Sequence, residues 1–279
     1  MQVVATLSLK GGVGKTTVAL GLVGAAQQRG VRTLLVDLDP QANATIALDV
    51  GPTTATVADV LDEPRRSVLR RAIVPSGWGE FLDVLVGTEE TERHNHPNPG
   101  AKQMGKLARA LQRLSDAGDT SVEPADEPYR LVVVDCPPSL GQLTRSALVA
   151  AQRAVLVTDP TMFAVAGVQR AFDAVQSERR DNPDLQPLGV LINRVRSRNA
   201  EHEFRIAELR ELFGPLVFSG MLPDRSAIQQ AQGACVPIQR WDTPGAREVS
   251  VVFSALLGRV LRSQRSRHKD VVEAVPAEG

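Results

Sequence analysis

Aromatic side chains are scarce in this chain: they make up 4% of its 279 residues, with a single tyrosine, Tyr129. A surface that stacks unpaired bases needs several such rings, so a platform for single-stranded nucleic acid is not expected. Cysteine is nearly missing. Cys136 and Cys235 are the only two, too few for a disulfide scaffold and in keeping with a reducing compartment. They also stand far apart in the sequence, which argues against a shared iron–sulfur cluster. No run of about 18 apolar residues is present, so no membrane-spanning helix is expected. The first residues enter "VVATLSL" with no basic stretch and no small-residue cleavage site. No secretory signal is therefore expected, and the reading is cytoplasmic. Net charge is missing too, since 32 basic residues balance 32 acidic ones. Attraction to a polyanion would have to come from a local patch.

What is present is an alternation. Apolar residues are 43% of the chain and charged residues 23%, ordinary globular values. Short β-branched runs at 2–9, 32–39, 129–136, 154–159, 188–193 and 216–222 read as buried strands, because their apolar character is nearly continuous. Helical patterns fall at 15–29, 103–115, 144–152, 165–179, 202–213 and 245–263. This order predicts an α/β fold: a doubly wound, mostly parallel sheet with helices on both faces. Residues 1–263 are read as one domain and 264–279 as a basic-then-acidic flexible tail. Two stretches interrupt the pattern. Residues 91–101, with two prolines and a glycine, read as a surface loop, and the "HNH" within it as solvated rather than metal-binding. Residues 115–128 carry five acids and no base and read as a solvated insertion.

The most informative stretch is "LSLKGGVGKTTVAL", residues 7–20. A common phosphate-binding loop has a glycine five positions before the glycine of "GK". Here that position is Leu9, yet a strand precedes "KGGVGKTT" and a helix follows it. Glycines at 11, 12 and 14 let backbone amides converge on phosphate oxygens, and a helix N-terminus adds its positive end. The cradle comprises Lys10, Gly11, Gly12, Val13, Gly14, Lys15, Thr16 and Thr17. Lys15 is placed to reach the β- and γ-phosphates, and the Thr16 hydroxyl to ligate magnesium. Asp37 and Asp39 end the second strand, and Asp135 ends "LVVVD". Ligands gather at the carboxyl ends of strands in such sheets, so all three should face the nucleotide, Asp135 as a Walker B magnesium ligand. Lys10 has no role in a common loop.

Together, "KGGVGKTT", "VDLDPQANAT" and "VVVDCPPSLGQLT" resemble the ParA/Soj branch of the deviant Walker A ATPases, and the likeness covers most of 1–263. The resemblance implies ATP and Mg2+ as cofactors and an ATP-dependent homodimer. It implies that Lys10 reaches across to the partner's phosphates, that Asp39 orients the attacking water and that Asp37 lies near the magnesium shell. Asn193 and Pro223 would lie against the adenine. The family often has Asn two residues after that proline, where this chain has Arg225. The resemblance further implies nonspecific double-stranded DNA as a nucleoid partner and a ParB-like activator. DNA candidates are Arg194, Arg196 and Arg198, and the C-terminal Arg259, Arg262, Arg265, Arg267 and Lys269. The position of a basic residue common in Soj-like chains holds Ala227. Two alternative readings are a MinD-like membrane-associated positioning ATPase and a ParA-like ATPase that positions a protein organelle. The first needs a free amphipathic terminal helix, whereas 251–269 coincides with the expected last core helix.

Overall fold

A computed structural model describes residues 1–115 and 128–273, with the backbone alone given for 264–273. All but the ends of the acid-rich stretch, and the last residues of the tail, lie outside these limits. The elements run β1 (Gln2–Leu7), α1 (Lys15–Gln28), β2 (Thr33–Asp37), α2 (Asn43–Ala47), α3 (Val57–Asp62), α4 (Arg66–Ala72), β3 (Ile73–Pro75) and β4 (Leu82–Leu85). There follow α5 (Ala101–Ser115), β5 (Leu131–Asp135), α6 (Gln142–Ala150), β6 (Arg153–Thr158) and α7 (Ala164–Glu178). The chain continues through β7 (Gln186–Ile192), α8 (Ala200–Phe213), α9 (Ser226–Gly233) and α10 (Pro244–Glu273). The sheet order is β3-β4-β2-β5-β1-β6-β7, parallel except for β3. The doubly wound sheet is therefore as expected.

Both faces of the sheet are covered. On one side α3 to α8 bury Val60, Leu69, Leu107, Leu148, Val175 and Leu209. On the other, α1, α2, α9 and α10 bury Leu22, Ala47, Ala231 and Phe253. Two covered faces explain why the parallel strands read as unbroken apolar runs. α1 and α10 approach very closely. A Cβ on Gly21 of α1 would stand 2.1 Å from the Phe253 ring, which is itself 1% exposed. Gly21→Ala is therefore expected to cost about 1–3 kcal/mol through overpacking, ahead of the roughly 1 kcal/mol that helix propensity returns. A thermal melt checks this, and an unchanged or raised Tm would show that the contact is slack.

Three expectations need correction. Residues 216–222 are not a strand: the chain makes isolated bridges from Val190 to Val217 and from Val195 to Pro223. Gly214 and Pro215 just before the segment, in the 3-10 helix Gly214–Leu216, and Gly220 within it interrupt it too often for a ladder to form. The 3-10 helix Glu89–His94 runs into the 91–101 stretch, and His94 is buried, not solvated. Its Nε2 lies 3.1 Å from the Ala58 carbonyl oxygen, and burial lowers its pKa. The last helix continues to Glu273, past the 263 read from periodicity.

Candidate functional site

The loop between β1 and α1 is shaped by backbone conformations that only glycine adopts freely. Gly12 and Gly14 have φ of 77° and 96°. Gly14 is the residue before α1 and offers no side-chain cap, so the first helical amides are left for a ligand. A Cβ there would also fall 2.2 Å from the Asn193 amide nitrogen. That nitrogen donates to the Val13 carbonyl at 2.7 Å, while Asn193 Oδ1 is buried with no partner among the described residues. The Thr17 hydroxyl accepts from Gln232 of α9 at 3.2 Å. Lys15 opens the helix and is 6% exposed.

Strand register brings the carboxylates together. Asp37 on β2 is the partner of Asp135 on β5, and Asp135 is also the partner of Thr6 on β1. Asp37 is held firmly. One oxygen accepts from the Thr45 amide at 2.8 Å and the Thr45 hydroxyl at 2.9 Å, and the other from the Asp39 amide at 3.3 Å. The Gly87 amide in turn donates to the Thr45 hydroxyl oxygen at 2.9 Å. Asp135 is fully buried, and its Oδ2 has no hydrogen-bond partner among the described residues. Burial pushes the Asp37 carboxyl up to about 6. Burial, with the Asp37 charge added, pushes Asp135 up to about 8, against the pull of the Thr16 hydroxyl and the Lys15 ammonium. An orphaned carboxylate oxygen beside a second buried carboxylate is a site short of positive charge, and a divalent cation would supply it. Among the described residues no group of three His, Cys, Asp or Glu could hold a metal ion. The donor set thus fits a cation that keeps water or phosphate oxygens among its ligands, as Mg2+ does. Asp39 is 7% exposed, with one carboxylate oxygen fixed by the Gln41 amide at 3.1 Å.

Lys10 is held by its own chain. Its Nζ lies 2.9 and 3.0 Å from the two carboxylate oxygens of Asp159 and 2.9 Å from the Thr161 hydroxyl. Sequence reading missed both partners. Yet Asp159 ends the run "AVLVTD" just as Asp135 ends "LVVVD", so the rule that selected Asp135 also selects it. Thr45 and Thr6, which hold the other carboxylates, carried no comparable signal. Beside the Lys10 contact, Met162 and Phe163 are 64% and 71% exposed.

The remaining candidates are dispersed. Asn193 and Pro223 are neighbours, since the Val195 amide donates to Leu222 and the Leu222 amide to Ile192. Arg225 is paired with Glu248 of α10 at 2.8 Å. Arg196 is paired with Asp224 at 2.7 Å, while Arg194 and Arg198 are exposed on left-handed backbone. Arg259 lies over the Phe218 ring, 4.5 Å from its centroid, and Arg262 is exposed. The side chains of Arg265, Arg267 and Lys269 lie outside the described residues.

Comparison with known proteins agrees with this geometry. The AAA domain family matches residues 1–186. The chain is 30% identical over 273 residues to the chromosome partitioning protein ParA of Caulobacter vibrioides, covering 96% of each chain. It is 32% identical over 265 residues to the chromosome-partitioning ATPase Soj of Thermus thermophilus, covering 92% of this chain and 96% of the other. In structure it is similar to cobyrinic acid a,c-diamide synthase from Mycobacterium smegmatis with bound ADP and magnesium. There the TM-score is 0.75 at 25% identity, over 95% of this chain and 96% of that one.

Proposed function

Because this chain belongs to the ParA/Soj family of deviant Walker A partitioning ATPases, we propose that it is an ATP- and Mg2+-dependent switch that partitions DNA or another cargo. It dimerises on ATP, binds nonspecific DNA, and is released by a slow hydrolysis that a ParB-like partner stimulates. Its place is the cytoplasm, on the nucleoid, and residues 1–263 act as one domain. The observation that carries the reading is the orphaned Oδ2 of Asp135, buried opposite Asp37 at the strand ends beneath an uncapped, glycine-built loop.

Each residue then has a task. The amides of 11–16 and the Lys15 ammonium bind the phosphates. Thr16, Asp37 and Asp135 would hold Mg2+, which would supply charge neutralisation to the bound phosphates. Asn193 offers its unpaired buried Oδ1 to an amine donor such as the adenine edge, with Pro223 against the ring. Asp39 orients the attacking water from a carboxylate already fixed by Gln41. Lys10 serves the facing site, and to do so it leaves Asp159 and Thr161. Exposed Met162 and Phe163 next to that contact give the dimer apolar area to bury. A MinD-like membrane role is less well supported. No described helix is long and apolar enough to cross a membrane, and the apolar face of α10 (Phe253, Leu256, Leu257, Val260) is committed to the core.

Asp39→Ala tests the division of labour. A water-orienting carboxylate acts on the chemical step and not on ground-state affinity. The variant is expected to bind ATP and dimerise like the parent while turnover falls about a hundredfold or more. Parental turnover would remove Asp39 from the mechanism.

A further inference from the structure

Lys10 enters a facing site only by giving up an anchor in its own chain. Strand register sets the pair. Leu7 of β1 is the partner of Leu156 of β6, and Lys10 and Asp159 each stand three residues beyond. Both carboxylate oxygens of Asp159 accept from the Lys10 ammonium. The Thr161 hydroxyl accepts from the same ammonium and donates to Asp159 Oδ1 at 3.0 Å. The acceptor end is stiff: Pro160 restricts the backbone of Asp159, and the Thr161 amide bonds the Asp159 carbonyl across it at 2.9 Å. The backbone of Lys10 is fixed as well. The Ser8 hydroxyl donates to the Lys10 carbonyl at 3.3 Å and accepts from its amide at 3.2 Å. Only the lysine side chain is left to swing.

The two partners do not lose equally when they separate. The Asp159 side chain is 12% exposed and that of Lys10 35%. Lys10 can regain water or another anion. Asp159 cannot, and its Oδ2 has no other partner among the described residues. Removing the cation from a nearly buried carboxylate is the costly way to break an ion pair. Release therefore needs an anion that outcompetes a bidentate carboxylate. ATP carries one phosphate more than ADP, and with it more negative charge to attract the same ammonium. A ligand moves such an equilibrium only by the difference in its affinity for the two states.

We propose that Asp159, with Thr161, is a positioning residue that makes dimerisation selective for ATP over ADP. It withholds Lys10 from the partner's site until a terminal phosphate draws the lysine out. The inference rests on the trans role of Lys10 proposed above. Without the Asp159 charge the ammonium is free in either nucleotide state, and ADP suffices to attract it. A two-fold dimer breaks two such contacts, so their effects multiply. At about threefold each, the modest value of a partly exposed ion pair, the two together shift the dimer Kd by about tenfold or more.

The test is sedimentation velocity of the full chain with Mg2+ and either ADP or a slowly hydrolysed ATP analogue. The parent is expected to dimerise with the analogue and to stay monomeric with ADP. Asp159→Asn keeps the size of the side chain and removes its charge. It is expected to dimerise with ADP at concentrations where the parent does not, and to tighten the analogue-bound dimer about tenfold or more. A merely structural role would weaken the dimer instead. Adding Lys10→Ala to Asp159→Asn should abolish the ADP-bound dimer, because the gain acts through the lysine. If that dimer persists, the gain comes from removing an acid from the interface, and the inference is overturned. Should Asp159→Asn lower the Tm, Thr161→Val carries the test: it removes one contact of the ammonium, keeps the charge and should give a smaller shift in the same direction. A parent that dimerises with the analogue, beside variants that match it with both nucleotides, overturns this inference alone. A parent that dimerises equally well with ADP leaves Asp159 nothing to select and overturns it too. A parent that stays monomeric with the analogue overturns the trans role of Lys10, and this inference with it.

Discussion

Lys15→Ala is expected to weaken ATP binding by about a hundredfold or more. A hydrogen bond to a charged group is worth about 1.5–3 kcal/mol, and two such bonds to phosphate oxygens exceed the roughly 1.4 kcal/mol that each tenfold in affinity requires. Burial sharpens the loss. Lys15 is 6% exposed and its ammonium has no hydrogen-bond or ion-pair partner among the described residues. Alanine therefore leaves no rival contact to rearrange, and the other lysine of the loop, Lys10, is engaged by Asp159 and Thr161. DNA binding that depends on ATP should vanish with it. Isothermal calorimetry with ATP and Mg2+ is the measurement, and an affinity within threefold of the parent would refute the loop assignment.

Lys10→Ala should leave nucleotide binding by the monomer nearly intact and abolish the ATP-bound dimer. The cradle, Lys15 and Thr16 are untouched by it, and in the free chain Lys10 contacts Asp159 and Thr161, not the loop that would hold phosphate. What is lost is a cation between two facing γ-phosphates, in an interface too dry to screen them. Complementation separates a trans role from a cis role. Lys10→Ala and Asp39→Ala are each expected to be inactive alone. In a mixed dimer, one site keeps its own Asp39 and receives Lys10 from the Asp39→Ala chain, so that site is complete. A two-fold dimer has two equivalent sites, so random pairing at equal amounts leaves about a quarter of all sites complete. The mixture should recover turnover of that order. A lysine acting within its own chain predicts no recovery, because each chain then lacks one essential group in its own site. Size-exclusion chromatography with a slowly hydrolysed ATP analogue shows whether mixed dimers form. If they do and turnover stays at background, the cross-dimer role is wrong.

Much of the nucleotide site is legible in the sequence because its parts are local. The loop is one contiguous stretch between a strand and a helix. Asp37 and Asp135 end apolar runs that no fold could leave unpaired. The longer strands are legible for the same reason: β1, β2, β5, β6 and β7 are covered on both faces and read as unbroken hydrophobic runs. The β3–β4 side of the sheet is not. β4 is the four-residue run "LDVL" and β3 only three residues, too short for any periodicity to develop. The short helices α2 to α4 fail to register for the same reason. The partners of Lys10 are hidden differently: Asp159 lies 149 positions away, and only the pairing of β1 with β6 brings the two loops together.

The two margins of the sheet bear on how copies of this chain can associate at high concentration. At one margin β3 is three residues long and ends in Pro75, which cannot donate to a further ladder. At the other, the Phe218 and Leu222 amides hydrogen-bond to Val190 and Ile192 of β7, so the 217–223 segment occupies that edge without being a strand. Among the described residues neither border offers a long row of free amides and carbonyls for templated aggregation. Lengthening of the sheet by another chain is thereby disfavoured at both sides.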